Sequence, residues 1–263
     1  MKGMSIEQIC TALGQHLSRM SRKVNIVFFS IATVLLILMA LPATVDVLAR
    51  YLFSYSVPGT VDITELALAM IIFGVMGYVN DNDSHIRVTL LLEKLPEHVR
   101  AVLRYSSSGL SVALFACMTY CMYANGVNKF LGNEGSYSIS LPLYIFVFIC
   151  TAFLIGHVLS LSAQTLLHLA DLLRSRRYAG LLAGTALVAA GMAAPFFLQD
   201  TVLGGDPAAL GITGVSALMV LLFLGMPIGT AMAGIGFLGM LIFYPTPRTA
   251  LSMLGGSPFS TAS

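Results

Sequence analysis

The chain has little charge and no tryptophan. Of its 263 residues, 10% are charged and 57% are hydrophobic, and the mean hydropathy is +0.87. Soluble domains carry about 25% charged residues, so this composition excludes an ordinary soluble protein. The net charge is only +2 and no basic face is evident, which argues against a nucleic-acid-binding protein. The composition therefore indicates an integral membrane protein.

Cysteines are few and none of them forms a CxxC pair. The four cysteines are Cys10, Cys117, Cys121 and Cys150, and three of them lie in apolar segments. Metal and redox sites of this kind are typically marked by CxxC pairs, which this sequence lacks. We therefore expect the cysteines to pack as small apolar side chains. We expect neither a cofactor, nor a metal site, nor a catalytic residue, because the sequence shows no nucleophile constellation or phosphate loop, and we predict a non-enzyme.

Long apolar segments, in contrast, recur along the whole chain. A hydrocarbon core about 30 Å thick needs roughly 20 helical residues to cross it. The first five segments are long enough, and the last two are close to the lower limit. The pattern predicts an all-α, polytopic membrane protein with about seven transmembrane helices. The segments are residues 24–53, 61–80, 105–130, 141–173, 180–198, 212–226 and 228–244.

The basic residues predict how these spans are oriented. If the N-terminus is cytoplasmic and the spans alternate, most of the 14 basic residues fall in cytoplasmic stretches. Arg50, Lys129 and Arg248 are the exceptions. Cytoplasmic loops of membrane proteins carry an excess of lysine and arginine, so we predict a cytoplasmic N-terminus.

The first 23 residues show an amphipathic pattern. Apolar residues recur at steps of three and four, and polar residues occupy the rest of the helical wheel. This spacing predicts an amphipathic helix lying in the cytoplasmic membrane interface, with a frayed leader as the alternative. The apolar residues are Ile6, Ile9, Leu13, Leu17 and Met20.

Three charged residues are the candidate subunit contacts. Asp46 and Arg50 lie four residues apart near the end of the first span, so they can meet on one helix face. Each charge can compensate the other, which is a structural role; contact with a partner subunit is the functional alternative. Asp62 and Glu65 resemble a capping box at the start of the second span. Capping explains both acids, and a proton- or ion-binding role for Glu65 is the alternative.

Two histidines leave a rival function open. His157 and His168 lie three turns apart on the fourth span, so they share one helix face. A haem- or quinone-binding membrane anchor of a respiratory enzyme would need a facing histidine at matching depth. The other histidines, His16, His85 and His98, all lie at the predicted cytoplasmic edge. Interhelical hydrogen bonds are therefore the preferred interpretation.

Residues 20–173 resemble the DctQ-type small membrane subunit of tripartite ATP-independent periplasmic (TRAP) transporters. The resemblance rests on Arg50-Tyr51 closing the first span, Glu65 opening the second, and the four-span layout. It also rests on the stretch at 85–91 and on Leu95-Pro96. The chain departs from the family pattern in its lack of tryptophan and in Thr64, where a second acid is common.

The tail is similar to the beginning of the DctM-type large subunit of the same transporters. The similarity rests on residues 225–234, Ala250-Leu251 and 257–259. It implies three regions: a small-subunit domain at 1–173, a basic linker with a connecting helix at 174–203, and the start of a large-subunit domain at 204–263. Because that large subunit has many more helices, we expect a truncated or partial fusion that lacks most of the transport site.

The resemblance implies a membrane component of a sodium-coupled transporter for organic acids. Its partners would be the DctM-type large subunit, which it braces, and a periplasmic substrate-binding protein, which it helps to dock. Sodium would be the coupling ion of the whole transporter, with no site expected in this chain. The implied location is the bacterial inner membrane. The alternatives are the haem or quinone anchor and a non-transporting assembly protein.

Overall fold

The computed structural model describes residues 6–82, 95–135, 141–175, 180–190, 207–223 and 228–243. Within these ranges the chain is helical with no strand, which confirms the predicted all-α class. The helices are α1 (Ile6–Phe53), α2 (Thr60–Asp81), α3 (Glu97–Leu131), α4 (Leu143–Arg174), α5 (Gly180–Ala190), α6 (Pro207–Phe223) and α7 (Ile228–Phe243).

Four of these helices are long and apolar enough to cross a membrane. They are α1 to α4, with 48, 22, 35 and 32 residues. The polytopic architecture predicted from the apolar segments is therefore confirmed. The three further predicted spans are helical as well, but their described parts are shorter: α5 is a short apolar helix, and α6 and α7 have 17 and 16 residues.

Helix α1 differs from the prediction at its N-terminal end. The amphipathic segment is not a separate interfacial helix, because residues 6–23 continue without a break into the first span. No glycine or proline stands between Gln15 and Pro42 to interrupt the helix. At 1.5 Å per residue, its 48 residues span about 72 Å, more than twice a hydrocarbon core. One end of α1 therefore extends beyond the hydrocarbon region.

The amphipathic segment also exposes its apolar face. Ile6, Ile9 and Leu13 are exposed, whereas Gly14 on another face is buried against α4. A Cβ added at Gly14 would lie 3.1 Å from Leu167 Cδ2, so the glycine permits this close approach. The apolar stripe thus faces away from the helix on which the segment packs.

The described residues fall into two compact units that interleave along the sequence. One unit draws on the described residues of 6–19, 95–115 and 159–243. In it, α5 packs on α3 at small residues: a Cβ added at Gly184 would lie 2.7 Å from Tyr105 Cδ1. Ser106 Oγ donates a 3.4 Å hydrogen bond to the Gly184 carbonyl oxygen. Helices α6 and α7 also contact each other. The predicted domain boundaries at residues 173 and 203 stay predictions.

The other unit draws on residues 20–82, 116–135 and 141–158. Its core is apolar and aromatic. The rings of Phe28 and Phe153 have centroids 4.8 Å apart, and Phe29 stacks on Tyr78 at 4.2 Å. Buried side chains from α2, α3 and α4 complete this core: Leu66, Phe73, Met122, Val147, Cys150 and Leu154. The unit therefore holds its four helix segments together by ordinary side-chain packing.

Candidate functional site

A polar corner forms where α1 turns into α2. Asp46 lies on α1 and is 5% exposed. Its carboxylate forms an ion pair with Arg50, one helical turn further on. The side chain of Arg50 is 58% exposed, whereas that of Asp46 is 8% exposed. The structure thus confirms that these two residues meet, with the acid turned inward and the base turned outward.

The loop after α1 folds back onto the same carboxylate. The Val57 N–H donates to Asp46 Oδ1 at 2.8 Å, and Ser56 Oγ donates to it at 3.2 Å. Arg50 Nη2 also lies 3.3 Å from Ser56 Oγ. Asp46 therefore accepts hydrogen bonds from a side chain on its own helix, a backbone amide and a hydroxyl. It fixes the position of the loop as well as pairing with Arg50.

Two positive backbone angles allow this reversal. Ser54 has φ 52° and Gly59 has φ 82°. Gly59 is the residue that precedes the first turn of α2, and its lack of a Cβ suits the left-handed conformation. Thr60 Oγ1 donates to the Val57 carbonyl oxygen at 3.0 Å, which closes the turn on the α2 side. The Pro58-Gly59 signal in the sequence thus marks a true turn.

The predicted capping box is wrong. Helix α2 begins at Thr60, two residues before Asp62, and its N-cap is Gly59, which makes no side-chain cap hydrogen bond. Asp62 therefore lies within the first turn, where it is buried. Glu65 is half-buried on α2, and within the described residues Asp46 and Arg50 bond to each other and to Ser56 and Val57, not to Glu65. The structure brings two of the three candidate residues together. Their role as subunit contacts stays a prediction.

A second polar group, not foreseen from the sequence, links α1 to α2. Asn25 is 1% exposed, and its Nδ2 donates to Asp81 Oδ2 at 2.7 Å. Ser21 Oγ donates to Asp81 Oδ1 at 3.4 Å. A Cβ added at Gly77 of α2 or Gly156 of α4 would lie 2.4 or 2.7 Å from Asn25 Oδ1. The two glycines make room for this side chain. The sequence signal that could have revealed the link is the four-residue spacing of Ser21 and Asn25 on α1.

The structure also bears on the histidines and on metal binding. His157 is buried on α4, and His168 is half-buried further along the same helix. Among the residues that the structure describes, no group of three or more histidine, cysteine, aspartate or glutamate side chains could hold a metal ion. The polar groups that the structure assembles are the hydrogen-bonded corner around Asp46 and the link from Asn25 and Ser21 to Asp81, and interhelical hydrogen bonds of the second kind help to hold helices together in lipid.

Comparison with known proteins gives the family. A family model described as the DctQ component of tripartite ATP-independent periplasmic transporters matches residues 39–175. This stretch is more than half of the chain and takes in Asp46, Arg50, Glu65 and the whole of α2, α3 and α4. No curated protein matches the chain significantly. DctQ proteins are components of transporters and not enzymes, which fits the predicted absence of catalysis. The chain therefore belongs to the DctQ family and is a membrane component of a TRAP transporter.

Proposed function

We propose that this chain is the bracing component of a sodium-coupled TRAP transporter for organic acids. It holds a DctM-type large subunit in the bacterial inner membrane, with its own N-terminus in the cytoplasm. It also contributes to the surface on which a periplasmic substrate-binding protein docks. Sodium couples transport in the assembled transporter and is not bound by this chain.

The observation that carries the proposal is the exposed surface of α1. In the apolar 18-residue stretch of α1, only 11% of the residues are buried, compared with 44% in the corresponding stretch of α2 and 50% in that of α4. A helix so little covered by its own chain presents its apolar side chains to lipid or to another subunit. Association of helices in membranes depends on close packing, so a long exposed helix is suited to bracing a partner. Its exposed side chains include Val34, Ile37, Leu41, Val45 and Leu48.

The polar corner supports a docking role at the end of the same helix. Tyr51, Phe53 and Tyr55 are exposed there at 86%, 76% and 58%. Aromatic side chains are enriched at membrane–water interfaces, which fits a corner at the membrane surface. The Asp46 carboxylate compensates Arg50 from one side only, and the exposed remainder of the guanidinium is available to an acidic partner residue.

The tail extends the proposal to a fusion. Residues 204–263 resemble the start of a large subunit, and α5 would reconnect the two parts across the membrane. Contact between α6 and α7 supports a helix pair that belongs together. Gly214 of α6 would place a Cβ 3.6 Å from Ile235 Cγ2 of α7, an ordinary packing distance. The substrate-binding part of a large subunit would lie in a partner or in a continuation of this domain.

Uptake in proteoliposomes tests the bracing role. Vesicles would contain the large subunit with or without this chain, and the binding protein loaded with a radiolabelled organic acid would be added outside under an inward sodium gradient. We expect uptake only when the chain is present and the gradient is imposed. Equal uptake without the chain would contradict the proposal. Uptake with the chain but without sodium would contradict only the proposal that sodium is the coupling ion.

A further inference from the structure

A polar cavity lies between the first turns of α1 and the last turns of α4. Its volume is about 590 Å³, within the range typical of small-ligand pockets. Glu7, Thr11 and Gln15 line it from α1, and Asp171 and Arg174 line it from α4. All of these residues belong to one compact unit. The two helices approach each other closely at Gly14, next to Gln15 of the lining.

Three charges line this cavity without pairing with each other. Within the part of the chain that the structure describes, Glu7, Asp171 and Arg174 form no ion pair. The Thr11 hydroxyl donates to the backbone carbonyl oxygen of Glu7 and not to its carboxylate. Gln8 and the apolar side chains of Ala12, Leu167 and Ala170 form the rest of the lining. The cavity therefore combines two acidic side chains and one basic side chain with apolar side chains.

The length and charges of α4 suit a cavity at the depth of lipid headgroups. Helix α4 has 32 residues and spans about 48 Å, compared with about 30 Å for the hydrocarbon core and 40–45 Å with the headgroup layers. The helix is therefore longer than the hydrocarbon core, and its charged end, which holds Asp171 and Arg174, is the end suited to the headgroup layer. The exposed apolar side chains of Ile9 and Leu13 on α1 also suit the boundary between headgroups and acyl chains.

We propose that this cavity binds an aminoalkyl phosphate, a ligand with a primary ammonium and a phosphate a few atoms apart. A purely anionic ligand would meet two carboxylates, and a purely cationic one would meet Arg174. An aminoalkyl phosphate satisfies all three charges: Glu7 and Asp171 accept from the ammonium, and Arg174 donates to the phosphate. Phosphatidylethanolamine headgroups and free phosphoethanolamine share this chemistry. The proposal is independent of the transport role.

Native mass spectrometry of the purified chain in micelles tests the proposal. Phosphatidylethanolamine and phosphatidylglycerol with the same acyl chains are added separately, and free phosphoethanolamine is titrated by calorimetry. The variants are Asp171→Asn and Arg174→Gln. The matched controls are Glu97→Gln and Arg19→Gln, which remove the same charges at exposed positions outside the cavity. All four changes are at exposed helical positions, and circular dichroism checks that each variant folds.

We expect the wild-type chain to prefer phosphatidylethanolamine to phosphatidylglycerol by about tenfold, the effect of one or two charge-assisted hydrogen bonds. Asp171→Asn removes this preference, Arg174→Gln weakens the binding of both lipids, and the controls bind as the wild type does. Binding of free phosphoethanolamine that weakens in both variants supports the same chemistry with a soluble source. Equal binding of the two lipids without binding of phosphoethanolamine, or a loss in Glu97→Gln equal to that in Asp171→Asn, overturns the proposal.

Discussion

Replacement of Asp46 by alanine is expected to destabilise the chain far more than replacement of Arg50. In Asp46→Ala, the Val57 N–H and the Ser56 hydroxyl lose their acceptor together with the Arg50 ion pair. A half-buried backbone donor left without a partner costs about 1–3 kcal/mol, and the exposed hydroxyl and guanidinium add less because water replaces their partner. The expected loss in the free energy of unfolding is roughly 2–3 kcal/mol.

Arg50→Ala leaves most of the corner in place. Asp46 keeps its hydrogen bonds from Val57 and Ser56. The lost ion pair involves a 58% exposed side chain, and such partly solvated pairs are worth roughly 0.2–1 kcal/mol. We therefore expect a loss below about 1 kcal/mol for Arg50→Ala.

Equilibrium unfolding of the purified protein in micelles measures both losses. The mole fraction of sodium dodecyl sulfate is raised and helicity is followed by circular dichroism. Arg19→Gln, at an exposed site elsewhere on α1, is the control and should unfold as the wild type does. If Arg50→Ala costs as much as Asp46→Ala, the inward carboxylate is not what fixes the loop, and the reasoning is refuted.

Three further predictions concern packing, docking and topology. Gly77→Ala should destabilise the chain by about 1–3 kcal/mol, because the new Cβ would lie 2.4 Å from Asn25 Oδ1. In a double-mutant cycle of unfolding free energies, the same change should cost much less in the Asn25→Ala background, where this clash is absent; an equal cost in both backgrounds would refute the clash. Arg50→Gln should lower binding-protein-dependent uptake while the purified variant keeps near-wild-type stability; unchanged uptake would exclude a docking role for this side chain. In single-cysteine variants, half-buried Cys10 should react with an impermeant maleimide only after the membrane is opened, and fully buried Cys150 only after unfolding; reaction of Cys10 in intact cells would overturn the cytoplasmic N-terminus.

The helical architecture could be predicted from the sequence because lipid imposes a simple rule. Backbone polar groups in a bilayer must be satisfied within each segment, so a long apolar run is a helix. The same rule does not say where a helix stops beyond the membrane. The amphipathic residues 6–23 follow a helical period whether they lie in the interface or extend the first span, and the structure shows the extension.

The polar corner was only half predictable for a related reason. A four-residue spacing of opposite charges is a local signal, and the Asp46–Arg50 pair followed from it. The bonds from Ser56 and Val57 depend on how the loop reverses, which the positive φ angles of Ser54 and Gly59 determine. Local spacing could not reveal these angles. For the same reason, the cap of α2 was placed at Asp62 instead of Gly59.

The link between Asn25 and α2 shows the limit of local patterns. Its partner Asp81 is 56 residues away in sequence, and its neighbours Gly77 and Gly156 lie on two other helices. Each of these residues is unremarkable in its own segment. Only the packing of three helices makes the asparagine buried and the glycines necessary.

Site-specific photo-crosslinking tests the bracing role of α1 most directly. A benzoyl-phenylalanine would replace Leu41 or Leu48, which are 62% and 52% exposed on α1, in cells that express the DctM-type large subunit. Met122, which is 0% exposed in the core, would be the control position. The account predicts an adduct with the mass of the large subunit from at least one α1 position and none from position 122. Adducts with lipid alone at both α1 positions would contradict the claim that this helix braces a partner.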